Sequence, residues 1–361
     1  MQAIAITSVH QRQYSETFIH NHVDYLPYDV HYLYGGYLPY FMPNGQKLLP
    51  KVPIVAYNFL KPQLQQQISN YFQHFEIAAV VAEYGPCGLE MLPICEALNI
   101  PLLVYFHGYD IYRADMIRKY LHRYQALFAG ASCLFAVSKE MAVRLIELGA
   151  PSRKVILNPC GANLELFNYH DAGKNEPIVF TASRFEETKH PEAVIKAFAL
   201  VLEKVPNAKL RMAGTGSLMP KCRRLVSRLG INKSVTFTGV LRPVEVCDEM
   251  AKARLFAQHS VTTRSGEKEG APVAIMEAGA SGLPVVSTRH AGIRDIIAEE
   301  ETGYLVEEGD VAGMAYFMEE LLTDSQKASS MGLAAHKRIK QHFSLDKNIK
   351  IICQYIEQLM V

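Results

Sequence analysis

Two glutamates eight positions apart, Glu269 and Glu277, flank a Gly-Ala-Pro turn in the segment EKEGAPVAIMEAGASGLPVVST (267–288). Pro at a first-turn position favours helix initiation. Pro272 therefore places Glu269 in the loop ahead of a helix and Glu277 about a turn and a half inside it. One carboxylate can then accept hydroxyls from a sugar near the loop, and the other can accept from a ribose deeper in a cleft. The N–H groups of the first turn, in the stretch Gly270, Ala271, Pro272, Val273 and Ala274, suit a phosphate lying between them. A plainer reading makes Glu269 a helix-start acid and Glu277 a solvated helix residue. Against it, AIMEAGA surrounds Glu277 with small and apolar residues, where an unpaired carboxylate is costly.

Two further segments carry candidate chemistry. In TASRFEETKH (181–190), Arg184 and Lys189 follow a strand end, and ligands of doubly wound sheets bind outside the carboxyl ends of strands. Two cations there suit a diphosphate, Arg through its fork of donors and Lys as a point charge. A solvated loop in which Glu186 and Glu187 pair locally accounts for the same residues. In AGTGSL (213–218), Gly214 and Gly216 form a turn between a strand and a helix, where backbone can approach a ligand closely. A structural tight turn explains them equally well. A dinucleotide fingerprint needs a third glycine at position 219; Met219 stands there, which disfavours a nicotinamide dehydrogenase.

These residues need a frame, and the apolar runs supply one. Strands are predicted at 3–9, 53–57, 77–84, 101–107, 133–138 and 154–158, with helical patterns over 61–72, 88–98, 111–128 and 140–148. In the second half strands are predicted at 177–183, 208–214, 234–240, 253–260, 284–288 and 302–306, again with helices between them. Such alternation is the pattern of βαβ units and parallel sheets. Two sets of about six strands favour two Rossmann-like domains over an eight-fold barrel, where strand and helix repeat more evenly. The seam is expected near 160–176, giving domains at 1–165 and 170–342, with a last helix at 345–361 that can pack back on the first. The segment YGGYLPYFMPNG reads as an irregular loop.

Composition narrows the function classes. A chain of 361 residues is about twice a single-domain length. With 37 Lys+Arg against 36 Asp+Glu it has a formal charge of +1, which disfavours a dedicated nucleic-acid binder. Seven cysteines are scattered and never spaced C-x-x-C, as expected for packing thiols in a reducing compartment rather than disulfides or a zinc site. MQAIAITSV reads as a first strand rather than a signal peptide, and no apolar run is long enough for a membrane span. A cytoplasmic location is expected.

The stretch from Thr181 to Gly309 resembles the donor-binding domain of retaining glycosyltransferases of family 4, an α/β class with the GT-B fold of two Rossmann-like domains whose parallel sheets face a cleft. The segments that carry the resemblance are SRFEETKH, AGTGSL, VTFTGVL, EGAPVAIMEAGASGLPVVSTRHAGIRDII and TGYLVEEGD. The first half matches more loosely through SETFI, FHGYD, FAVSKEM and ILNPCGANLELF. SETFI and EGAPVAIMEA are similar to the branch that builds exopolysaccharides such as colanic acid.

The resemblance implies that Arg184 and Lys189 hold a nucleotide-sugar diphosphate, Glu277 accepts the ribose hydroxyls, and Glu269 meets the donor sugar. It further implies that Gly214 and Gly216 border the nucleotide, that Val240 and Leu241 lie near the base, and that His107 reaches the donor sugar. The expected activity is retaining transfer of a hexosyl unit, from a UDP-sugar by preference, to a saccharide or lipid-linked saccharide. No metal or other cofactor is expected, since the chain has no D-x-D. Front-face attack and a covalent intermediate both stay open, as do two other functions: a sugar-nucleotide epimerase and a non-catalytic sugar-nucleotide-binding scaffold. Peripheral contact with the inner face of the cytoplasmic membrane is expected through the basic, aromatic stretch 111–128.

Overall fold

Two parallel sheets of six strands each organise the chain. The computed structural model describes every residue except Arg12, Tyr57, Asn58 and Val361. The first sheet contains β1 (Ala3–Ser8), β2 (Asp29–Tyr34), β3 (Ala79–Glu83), β4 (Leu102–Phe106), β5 (Cys133–Ala136) and β6 (Val155–Leu157), in the order β2-β1-β3-β4-β5-β6. The second contains β7 (Ile178–Ala182), β8 (Lys209–Ala213), β9 (Val235–Gly239), β10 (Leu255–Gln258), β11 (Val285–Thr288) and β12 (Gly303–Val306), in the order β12-β11-β10-β7-β8-β9. Each sheet lies in its own compact unit, Met1–Pro159 with Ile349–Val361 for the first and Cys160–Asn348 for the second.

The short apolar runs form strands because both faces of each sheet are covered by helices, and a parallel sheet buried on both sides needs apolar residues at every position. Alternation then distributes them. Along β10, Leu255 and Ala257 join one core cluster with Phe198, Leu210, Met318 and Leu321. Phe256 between them joins the other, with Phe180, Ile275, Met276, Ile293 and Ile339. The helices Pro191–Val201 and Val273–Ala280, which follow β7 and β10, pack into these two different clusters.

All six strands predicted in the second half are present. In the first half one is different. The run 53–57 contains a 3-10 turn at Ile54–Ala56, and its Tyr57 lies outside the described residues. Ile54 and Val55 are exposed, so this apolar run has no sheet to enter. The open edge of β1 is taken instead by β2, whose sequence DVHYLY carries Asp and His. A half-exposed edge strand tolerates such residues, which hides it from a search for apolar runs.

The division between units falls at Pro159/Cys160, ahead of most of the expected seam. Ala162 pairs with Ser344, its N–H donates to Phe343, and its carbonyl accepts from Leu345, so this stretch is held by the second unit. The last helix, Leu345–Leu359, begins in the second unit and continues in the first.

The expected helix over 111–128 is broken. A short turn at Tyr109–Tyr112 ends at the extended Arg113, and the longer helix runs Ala114–Gly130. The turn is pinned by buried Asp110, whose carboxylate accepts the backbone N–H groups of Gly85, His107 and Gly108. Tyr120 and Tyr124 face inward, while Arg113 and Arg123 pair with Asp115 and Glu90. The aromatic half of the anticipated membrane surface is therefore core, and Arg118, Lys119 and His122 are its exposed remainder. Among the described residues no helix is long and apolar enough to cross a membrane.

Phe256 is fully buried against Phe180 in the core of the second unit. Phe256→Ala is expected to cost about 3–5 kcal/mol, read as a lower urea midpoint for the transition that unfolds this unit.

Candidate functional site

The strand order of the second unit is that of a dinucleotide-binding Rossmann sheet, and it reverses direction between β7 and β10. Chain segments leaving those two strands diverge to opposite faces and leave a crevice at their carboxyl ends. A backbone bond from Val261 N–H to Thr188 C=O, 2.9 Å, stitches the two loops together at its floor. The predicted residues Arg184, Lys189, Glu269 and Glu277 all follow or flank these two strand ends.

Lys189 closes a 3-10 turn, Glu187–Lys189, that ends in the left-handed His190. Its ammonium lies 2.8 Å from Glu269 Oε1, with both side chains largely buried. Ser260 Oγ donates to the same oxygen at 3.2 Å. The structure thus joins two predicted site residues directly, and Glu269 is poised as an acceptor by a cation and a hydroxyl. Arg184 is exposed. Its acidic neighbour Glu186, expected to pair locally with cations, turns to the glycine turn: Ser217 N–H and Oγ donate to its two carboxylate oxygens at 2.9 and 2.6 Å.

That contact changes the reading of the glycines. Gly214 has φ +121°, and a Cβ there would lie 1.9 Å from the Ser183 carbonyl. A Cβ at Gly216 would lie 2.5 Å from the Phe185 carbonyl. Both glycines are required by the neighbouring chain at 183–186, which the turn grips through Phe185 N–H to Thr215 and Leu218 N–H to Phe185. Their close approach is to protein backbone, and through it they fix the loop that presents Arg184.

The helix after the Gly-Ala-Pro turn runs Val273–Ala280, with Pro272 at its N-cap. Gly270 and Ala271 precede it, so the first-turn N–H groups at Val273 and Ala274 open toward the crevice end of the helix. Glu277 follows one turn further on. Burial pushes its carboxyl's pKa up from 4.5 to about 7. Val240 and Leu241 follow β9: Val240 is exposed, and Leu241 packs on the core cluster beneath.

In the first unit, His107 follows β4; its ring stacks on Tyr105 and lies tilted against Phe18. Its Nε2 lies 2.7 Å from Glu83 Oε2, and His22 Nδ1 lies 2.7 Å from Glu83 Oε1. Burial alone would raise the Glu83 carboxyl; its two imidazole partners outweigh that and hold it at about 2. Tyr84 OH donates to Glu16 at 2.9 Å, which gives the SETFI segment a contact with the end of β3. Glu83 and His22 were not singled out from the sequence. The only available sign was a carboxylate closing the apolar run 77–84.

Two parallel six-stranded sheets, the second with a basic and carboxylate crevice at its switch point, are the architecture of the GT-B fold. Residues 16–166 match the family described as Glycosyltransferase Family 4, and residues 164–338 match Glycosyl transferases group 1. The chain belongs to these glycosyltransferases. It is 28% identical over 290 residues to WcaL of Escherichia coli, a protein named for colanic acid biosynthesis, covering 79% of this chain and 71% of that one. It is also 28% identical over 291 residues to the amylovoran biosynthesis glycosyltransferase AmsK of Erwinia amylovora, covering 80% and 70%. Among solved structures it resembles a sucrose-phosphate synthase from Thermosynechococcus elongatus, with TM-score 0.79, 20% identity and 99% of both chains covered. Anabaena HepE in complex with UDP gives TM-score 0.79 and 17% identity over 99% of this chain and 100% of that one.

The raised Glu277 carboxyl makes a prediction independent of substrate. Between pH 4.5 and about 7 the folded chain holds a proton that the unfolded chain releases. Stability from this group therefore falls as pH rises through that window, with a full cost of about 3 kcal/mol above it. Glu277→Gln should melt higher than the native chain at pH 8, with the gain vanishing near pH 4.5 in thermal denaturation. A gain that is the same at both pH values would contradict the placement of this carboxyl.

Proposed function

We propose that the protein transfers a hexosyl unit from a UDP-sugar, with retention and without a metal, to a saccharide or lipid-linked saccharide acceptor in exopolysaccharide synthesis. The observation that carries this reading is the Lys189–Glu269 pair at the β7/β10 crevice, with an exposed arginine on one side and a helix N-terminus on the other. In this reading the donor diphosphate lies across Arg184, Lys189 and the N–H groups of Val273 and Ala274. Glu269, already an acceptor, takes a hydroxyl of the donor sugar, and Glu277 takes the ribose diol. The ionised carboxylate is the stronger acceptor for that diol, so donor binding favours the deprotonated form of Glu277, whose pKa burial raises to about 7. Val240 and Leu241 border the base. In the first unit, His107 held by Glu83 serves sugar hydroxyls.

As the glycosidic bond breaks, negative charge grows on the departing nucleoside diphosphate. Arg184, Lys189 and the helix N-terminus meet it as fixed donors that need no reorganisation, and they supply the positive charge a metal would otherwise bring. UDP is favoured because HepE, a fold neighbour, has been solved with UDP and with UDP-glucose. The acceptor class follows the names of WcaL and AmsK. Membrane contact, in this reading, rests on the exposed cations Arg118 and Lys119, with His122 exposed beside them, at the cytoplasmic face.

A thermal-shift panel of UDP, GDP and ADP with their sugar conjugates tests the donor site. Ligand at about 100 times its dissociation constant stabilises by about 2.7 kcal/mol, and a shift is expected with UDP that is lost in Glu277→Ala. Arg184→Ala is expected to lower turnover by about 3 kcal/mol in the transition state, on the order of a hundredfold. A shift with GDP alone would replace the base, and no shift with any nucleotide in folded protein would overturn the donor site.

A further inference from the structure

The Glu269 loop is held from behind by a histidine. The backbone N–H of Glu269 donates to His290 Nε2 at 3.1 Å. A backbone amide can only donate, so Nε2 must carry the lone pair. The ring's other nitrogen, Nδ1, lies 2.6 Å from Glu308 Oε1 and must carry the hydrogen. Glu308 is itself fixed, accepting from Thr262 N–H at 2.8 Å and from Thr262 Oγ1 at 3.1 Å. His290 is almost wholly buried, and its neighbour Thr288 Oγ1 donates to the Ser260 carbonyl. Three strand-end loops, after β10, β11 and β12, thus converge on one imidazole.

A second histidine ties the same loop one strand over, through Nε2 alone. The backbone N–H of Gly309 donates to Nε2 of fully buried His259 at 2.8 Å. The loop after β12 is therefore gripped at consecutive residues, Glu308 by His290 and Gly309 by His259. Each ring works only as a neutral acceptor at Nε2.

We propose that His290, oriented by Glu308, is a positioning residue that sets the place of Glu269 through its backbone and so aims the Glu269 carboxylate at the donor sugar. The proposal rests on the donor-site reading for its catalytic consequence, while the lacing itself stands without it. The side chain of Glu269 is tied forward to Lys189 and Ser260; its main chain is tied back to His290. With the rear tie cut, the carboxylate keeps its partners but loses its fixed origin. Misplacement of an aligned group slows the chemical step far more than it weakens binding of a remote nucleotide.

Three measurements on the full chain test this. In imidazole nitrogen NMR of histidine-labelled protein, the resonances that vanish in His290→Gln should show a protonated Nδ1 and an unprotonated Nε2. A protonated Nε2 would overturn the proposal. In hydrogen exchange, amides over 267–270 should exchange about tenfold faster in His290→Ala, and His290→Gln, which keeps an acceptor near the Nε2 position, should restore protection. Unchanged exchange in His290→Ala would overturn it. In turnover of UDP-glucose, His290→Ala should lose at least about tenfold in kcat while UDP affinity stays within about twofold. Equal losses in kcat and UDP affinity would mark a general structural role and overturn the proposal. If the native chain binds no UDP, the donor-site reading fails, and the tautomer and exchange results still decide whether His290 positions Glu269.

Discussion

Parallel pairing of β10 with β7 brings together two strands that are adjacent in space and distant in sequence. Their onward helices enter different core clusters, so the two outgoing loops cannot cover the sheet end between them. That gap is where the second unit gathers its charge. The loop after β7 brings Lys189, the segment after β10 brings Ser260 and Glu269, and the bond between Val261 and Thr188 keeps them in register. The Lys189–Glu269 pair inherits its geometry from this seam.

A crevice made of loops is precise only if the loops are held, and the second unit holds them with polar side chains. Glu186 grips the glycine turn at Ser217, Glu308 grips Thr262, and His290 and His259 grip backbone amides. For the two buried histidines among them, a hydrogen bond made to a backbone amide is stabilising and one lost is costly. His259 stays neutral for a related reason, because burial lowers its pKa to about 4. The unfolded chain takes up a proton there near pH 6.5 that the folded chain refuses until lower pH, so this group's contribution declines as pH falls through that range. The first unit uses a related device with opposite polarity, since Glu83 is a buried anion held between two histidines.

Much of the architecture was legible because parallel sheets covered on both faces demand apolar runs, and those runs are visible. The six strands of the second half, the two-unit organisation and the helix opening at Pro272 follow from that demand. β2 was not legible, because an edge strand with Asp29 and His31 lacks the pattern that buried strands must have. The exposed run 53–57 showed the converse: apolar residues make a strand only where a neighbouring strand is available. The break at Arg113 depends on Asp110 collecting amides from two separate segments, which no local period encodes.

For the site, the sequence by itself determined the inventory: two carboxylates around a helix start, two cations after a strand, and glycines in a turn. Residue type and local spacing fix these because they depend only on neighbours along the chain. Tertiary structure alone decided the partnerships. It gave Lys189 to Glu269 rather than to an adjacent acid, set Gly214 against the Ser183 carbonyl, and placed His290 behind Glu269 and Glu83 between two histidines. Each of these is a contact between segments that only the sheet order brings together, and hydrogen bonds act over a few ångströms of space rather than along the sequence.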